Sequence, residues 1–233
     1  MTVRKKHCVA AAAAVFVAAA ALISSFANGE TAAVSSPYRT GVAGENRVAL
    51  CFNVDWGEDC VPALLKTLTE RNARATFFLT GRWTEQFPEC ARSIKNAGME
   101  IGNHGLKHAS PDKMSYEENA ADIAAAAKII EETLHIKTTL FAPAAGECGE
   151  QVLRAAKDSG CAVILWSVDT IDWQKPDPET IVSRVESKVG DGDIILAHPT
   201  ENTVKALAGI LDVLEEKNLK TVPVSELIRE TPR

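Results

Sequence analysis

The chain has 233 residues, 46% of them hydrophobic and 24% charged, which is the make-up of a folded globular chain and excludes a disordered or fibrous one. Its length suits one α/β domain. With 25 basic residues against 31 acidic ones and a formal net charge of −6, it lacks the basic surface that holds nucleic acid, which leaves small molecules, neutral polymers or proteins as partners.

The N-terminus reads as an export signal. Arg4, Lys5 and Lys6 precede an alanine-rich apolar run over residues 8–26, and Ser25 and Ala27 are small residues placed for cleavage after Ala27. Residues 1–27 are therefore expected to be a signal peptide. The run is also long enough to cross a bilayer as an uncleaved signal anchor, the only route by which a membrane enters. Either way the protein is expected in the cell envelope or outside the cell. Residues 28–45 are small, polar and aperiodic, a linker by composition, and residues 46–233 carry the domain.

Short apolar runs at 48–53, 75–79, 99–103, 139–143, 162–168, 194–198 and 221–224 predict buried strands. Amphipathic stretches at 62–71, 85–97, 116–134, 151–159, 178–188 and 202–217 predict helices between them. Asp177 before Pro178 marks a helix start, and Gly98 a helix end. This alternation makes an α/β fold with a parallel sheet, closed as a barrel or doubly wound. In such folds the working residues stand at the carboxyl ends of strands. Here those are Asn53, Asp55, Asn103, His104, Asp169, Asp172 and His198.

His104 and His108 follow a strand with three residues between them. Imidazoles so spaced are either solvated loop side chains or two ligands of one ion. Their place at a strand end, with Asp55 at another, favours the ion. Trp56 and Trp83 follow the first two strands, and either stack on sugar rings at the rim or pack under a loop. His135 near a helix end reads as a surface residue favourable to the helix dipole. Cys51, Cys60, Cys90, Cys148 and Cys161 form no CxxC pair, against a thiolate zinc site. Buried free thiols, Cys51 and Cys161 above all, fit better than disulfides.

Five segments carry a resemblance. They are Phe52-Asn-Val-Asp-Trp-Gly57, His104-Gly-Leu-Lys-His108 after Glu-Ile-Gly-Asn, Phe141-Ala-Pro-Ala-Ala-Gly146, Trp166-Ser-Val-Asp-Thr-Ile-Asp-Trp173 and Leu196-Ala-His198. In order and spacing they resemble the motifs of the polysaccharide deacetylases of the NodB type (carbohydrate esterase family 4), across about Asn46 to Leu227. The resemblance implies a distorted (β/α) barrel of about seven parallel strands. It implies a divalent metal, Zn2+ foremost with Co2+ or Mn2+ as alternatives, held by Asp55, His104 and His108. It implies that the metal polarises an N-acetyl carbonyl and a water whose proton goes to a carboxylate, with a backbone N–H near Ala145 stabilising the oxyanion. His198 then protonates the leaving amine, Asp169 orients it and keeps it charged, and Trp173 and Leu196 line the acetyl pocket. Asp55, Asp169 and His198 are thus the implied catalytic residues. The implied substrate is an N-acetylglucosamine-containing polysaccharide of the cell wall or the extracellular space, peptidoglycan- or chitin-like.

The departures from the pattern are specific. Where the family has two adjacent aspartates, base and ligand, this chain has Asn53, Val54 and Asp55. An amide takes up no proton near neutral pH, and one extra residue turns a side chain to the other face of a strand unless a turn or bulge restores it. The arginine expected to pair with the base is Ala142, and a tyrosine position is Ala145. Losing the base and its cation together is physically consistent, since a buried cation alone is costly. Either Asp55 serves as ligand and base, or Glu58 or Asp59 reaches the water, or the chain binds glycan or metal without turnover. A closed pocket would instead suit an amidohydrolase acting on a small non-sugar amide.

Overall fold

The computed structural model describes residues 36–229, so the expected signal segment lies outside the described residues. In chain order the elements are β1 (Arg47–Val54), α1 (Val61–Glu70), β2 (Thr76–Leu79), α2 (Gly81–Gln86), α3 (Pro88–Asn96), β3 (Glu100–Asn103), α4 (Tyr116–Leu134) and β4 (Leu140–Phe141). There follow α5 (Glu150–Asp158), β5 (Ala162–Val163), β6 (Val168–Asp169), α6 (Pro178–Glu186), β7 (Ile194–Ala197), α7 (Glu201–Glu216), β8 (Lys220–Thr221) and α8 (Val224–Leu227). The strands run β5-β4-β3-β2-β1-β7-β6 across the sheet, with β8 pairing the start of β1. The pairings in this sheet are parallel. This is the distorted (β/α) barrel that the resemblance implies.

The one predicted strand over 162–168 is two strands on opposite edges of the sheet, β5 and β6, joined by residues 164–167. That short join dictates the curvature. A flat sheet seven strands wide puts its edges about 29 Å apart, whereas the join reaches about 18 Å at most. The sheet must therefore curl on itself, and it does so with an open seam at the join. Tyr38 lies along that seam, donating to the Val163 carbonyl and accepting from the Leu165 N–H, each at 2.8 Å. The predicted linker thus belongs to the domain from Tyr38 onward. Further bonds bear this out, from the Gly41 N–H to Gly192 and from the Val42 N–H to Leu227.

Strand β1 is buried on both faces, as its unbroken apolar run requires. Val48, Leu50, Phe52 and Val54 face the helices in the main core. Ala49 and Cys51 face the barrel interior with Phe78, Leu140, Ala142 and Ile164. The helix predicted over 85–97 is interrupted before Pro88. Phe87 takes a non-helical φ of −126° and ψ of 57°, and Pro88 starts α3, because proline disfavours helical backbone in the residue before it. Gly98 follows α3 at φ +77° and its N–H closes the helix on Lys95. Asp177 sits at the N-cap of α6 without a side-chain cap bond. Ser115 and Glu118 form a full capping box on α4. The five described cysteines are free, with Cys51 and Cys161 buried; burial pushes the Cys161 thiol up to about 11. Trp83 is 1% exposed and packs against Phe87, which places it in the core and not at the rim.

Candidate active site

One cavity of about 390 Å³ at the carboxyl ends of the strands gathers Asp55, His104, His108, Ala145, Asp169, Trp173, Leu196 and His198, together with Asn53, Trp56 and Trp166. Of the strand-end residues singled out from the sequence, Asn53, Asp55, His104, Asp169 and His198 line this cavity, whereas Asn103 and Asp172 are buried behind it. The spacing of the first motif explains part of this. Asn53 and Asp55 are two residues apart on β1 and its exit, so they share the interior face, while Val54 turns outward into the main core. No bulge is needed.

The histidine loop is built on backbone bonds. The His104 N–H donates to the Leu79 carbonyl at 2.9 Å, the Gly81 N–H to Gly105 at 2.9 Å and the Arg82 N–H to Leu106 at 2.8 Å. Asn103, fully buried, accepts from the Gly105 N–H at 2.7 Å and donates to the Ile123 carbonyl at 2.9 Å. It therefore braces the loop and does not line the cavity. The Leu106 N–H donates to the Asp122 carboxylate at 2.9 Å. Gly105 sits at φ +81°, and a Cβ there would lie 2.5 Å from that same carboxylate. Only glycine fits.

His104 is 2% exposed. Its Nδ1 lies 2.6 Å from the Ala142 carbonyl, so Nδ1–H donates there and the Nε2 lone pair is left over. Burial lowers its pKa to about 4 against the opposing bond to Ala142, which keeps the ring neutral, as an ion ligand must be. The His108 ring stands edge-on to it, 5.4 Å between centroids. The carbonyl of Ala142, at the family's arginine position, thus orients the first histidine.

Asp55 shares this cavity, but both its oxygens are engaged. Oδ1 accepts from the Thr80 hydroxyl at 2.9 Å and Oδ2 is ion-paired with Arg82. Among the described residues no group of three or more His, Cys, Asp or Glu stands ready to hold a metal ion. His104, His108 and Asp55 are of the residue types that bind a divalent ion and line one cavity, but the Asp55 carboxylate is taken up by Thr80 and Arg82.

Across the cavity the partner of His198 is Asp172, not Asp169. His198 Nδ1 lies 2.7 Å from Asp172 Oδ1, and the His198 N–H and the Thr203 hydroxyl both donate to Oδ2 at 2.6 Å. Asp172 is fully buried. Asp169 accepts instead from the Ile171 N–H at 2.8 Å. The reason is the turn between them. Ile171 adopts a left-handed backbone at φ 52°, uncommon for a β-branched residue, and this reversal brings Asp172 back under β7. The sequence held the signal, since both aspartates stand in one motif, but not the turn that chooses between them. Trp56, 45% exposed, lies parallel to the His198 ring at 6.2 Å, and Trp173 is 54% exposed. Gly57, at φ +87°, lets this loop touch Pro199, where a Cβ would meet a carbonyl at 2.2 Å. Ala145 is itself left-handed at φ 54°. Glu58 does not line the cavity and Asp59 lines a neighbouring one, so neither expected substitute base faces the histidines.

The family model for polysaccharide deacetylases matches residues 40–164. YlxY of Bacillus subtilis, which is uncharacterized, is 34% identical over 84% of this chain and 61% of its own length, so the chain spans about three fifths of that relative. A peptidoglycan-N-acetylglucosamine deacetylase of Bacillus cereus is 34% identical over 82% of this chain and 93% of its own. Among solved structures, BA3943, a CE4 family pseudoenzyme from Bacillus anthracis, matches with a TM-score of 0.82 and 34% identity over 84% of this chain and 69% of that one. A mutant of BA3943 with restored enzymatic activity matches with a TM-score of 0.82 and 33% identity over 84% and 72%. On the motifs gathered in one cavity, the barrel that presents them and these likenesses, the chain belongs to the polysaccharide deacetylase family.

Proposed function

We propose that this chain is an exported, metal-dependent hydrolase that removes N-acetyl groups from an N-acetylglucosamine-containing polysaccharide of the cell envelope, peptidoglycan- or chitin-like. One observation carries the reading: a fully buried Asp172 holds His198 across a single cavity from the neutral His104 and its neighbour His108. Burying a carboxylate and ordering a histidine on it is costly unless the pair is used or tightly compensated.

His104, His108 and Asp55 would hold the metal, Zn2+ by ligand type. When bound it supplies Lewis-acid polarisation of the acetamide carbonyl and of a water. The chain's own residues do the rest. Asp55 accepts a proton from the water as its oxygen bonds to the carbonyl carbon. A backbone N–H at the left-handed turn around Ala145, on the cavity lining, stabilises the developing oxyanion. The C–N bond then breaks with its electron pair on nitrogen as His198, in its imidazolium form with Nδ1–H held by Asp172, gives its Nε2 proton to the amine. Asp55 afterwards releases the proton it took from the water, and His198 regains one from solvent. Leu196 and Trp173 line the space for the acetyl methyl group, and Trp56 offers an indole face to the sugar.

A second reading, binding of glycan or metal without turnover, is favoured by Asn53 and Ala142. They remove the carboxylate base and its cation from the cavity, and leave Asp55 with two duties. Acetate release from acetylated chitooligosaccharides, measured with Zn2+, Co2+ and Mn2+ in turn, separates the two. Slow release supports the hydrolase; none with any metal, alongside measurable oligosaccharide binding, supports the second reading.

A further inference from the structure

Asp55 already has a cation. Its Oδ2 is paired with the Arg82 guanidinium and its Oδ1 accepts from Thr80, so both oxygens are taken. The two partners differ in burial: the Asp55 side chain is 9% exposed and that of Arg82 56%. Arg82 reaches in from solvent, from the first turn of α2. Its own backbone N–H is bonded to Leu106 within the histidine loop, so the residue that supplies the guanidinium is fixed to the segment that presents His104 and His108.

We propose that Arg82 acts as a built-in competitor of the divalent cation: its guanidinium occupies the Asp55 carboxylate, and the ion completes its ligand set only by displacing it. The proposal rests on the reading of Asp55, His104 and His108 as the ion's ligands. A monocation and a dication cannot share one carboxylate at close range without repulsion, and even in water that repulsion weakens binding by roughly tenfold at a separation of about 6 Å. Displacement is nonetheless within reach, because an ion pair with so exposed a partner is itself weak. The guanidinium also has somewhere to go. A neighbouring cavity of about 490 Å³ is lined by Arg82, Lys107, His108 and Trp56, with Asp55 its only acid. The free carboxylate is thereby kept compensated when no ion is bound, a task that falls to Arg82 where Ala142 stands at the family's arginine position. Arg82 is a positioning residue and makes no contact with substrate in this scheme.

The test is calorimetric titration of the full chain with Zn2+, and with Co2+ followed by its visible absorption, compared with Arg82→Ala, Arg82→Gln and His104→Ala. Both Arg82 variants are expected to bind about tenfold more tightly than the unmodified chain. The gap should narrow as salt is raised, because screening weakens the competing pair. His104→Ala should bind no ion. Equal or weaker binding by both Arg82 variants, with the unmodified chain binding normally and His104→Ala not at all, overturns the role of Arg82 and leaves the ligand assignment standing. Absence of binding in the unmodified chain and both Arg82 variants overturns the ligand assignment and this proposal with it.

Discussion

The two walls of the cavity use their carboxylates in opposite ways. On one, Asp172 is sealed from water and gives its oxygens to His198 and Thr203 through three bonds of 2.6–2.7 Å. On the other, Asp55 leans on the Thr80 hydroxyl and on an arginine more than half exposed. The His198 wall, the proposed proton donor's, is locked by the interior of the fold. The Asp55 wall, the proposed ion's, is held partly by a side chain that solvent can take away. Substitutions at the family's base and arginine positions, Asn53 and Ala142, fall on the second wall, where the first does not feel them. One half of the proposed site can therefore persist intact beside one that has been rebuilt.

The largest effect is expected from His104→Ala. That change removes the one ring whose Nδ1 is pinned by a backbone carbonyl, and divalent binding should vanish by calorimetry and by metal content after dialysis. Full occupancy in the variant would break the comparison at its root. Next comes Asp172→Ala. It leaves the His198 ring, the His198 N–H and the Thr203 hydroxyl without their acceptor, a loss of about 1–3 kcal/mol or more read as a lower urea midpoint, and any deacetylation should fall on the order of 10³-fold. Asp169→Ala loses only the bond to Ile171 and should cost about 1 kcal/mol. Equal losses from the two would mean that the walls are not organised as described.

A pH effect of about 3 kcal/mol is expected in the metal-free chain. His104 has a folded pKa near 4 against about 6.5 when unfolded. Below pH 6.5 the unfolded chain binds the extra proton first, so the contribution is fully present above 6.5 and is lost as pH falls towards 4. His104→Gln should flatten that part of the stability curve. An unchanged slope would show that the ring is not buried neutral.

Much of this was legible in the sequence, and the rest failed for identifiable reasons. The alternation of strands and helices, and the polar residues ending the strands, give the parallel α/β sheet and its rim, while the barrel came from the resemblance of the five motifs. The split of residues 162–168 into β5 and β6 was hidden because an apolar run looks the same whether it stays in one pairing or crosses a seam. The interruption before Pro88 was written in the proline. The choice of Asp172 over Asp169 hung on Ile171, whose left-handed turn no propensity announces. Trp56 and Trp83 follow strands in the same manner, yet one is a rim platform and the other core; only packing separates them. Asn53, Val54 and Asp55 resolved in favour of the simple two-residue period.

Asn53→Asp sharpens the contrast between the walls from the other side. A carboxylate introduced at a position 6% exposed, with no arginine at 142, is poorly compensated and should lower stability by about 1–3 kcal/mol. It should nevertheless raise acetate release by roughly 10–100-fold, since a dedicated base contributes on the order of 10²–10⁴. Adding Ala142→Arg should recover stability beyond the sum of the single changes, a coupling that a double-mutant cycle reads directly. Additive effects would mean that the two positions do not face one another, and that their joint replacement in this chain is coincidental.

The smallest effect is expected at the cavity mouth, where the walls meet through Trp56. Its indole lies parallel to the His198 ring, with one edge on the proton-donor wall and its backbone directly after Asp55. Stacking of this kind is worth about 0.5–1.5 kcal/mol. Trp56→Ala should therefore weaken binding of a chitooligosaccharide by about 3–10-fold, measured by calorimetry whether or not turnover occurs, with divalent affinity changed by less than about twofold. A sugar platform shifts glycan affinity alone. If the ion's affinity shifts and the glycan's does not, Trp56 serves the loop that carries Asp55, and the mouth belongs to the ion wall.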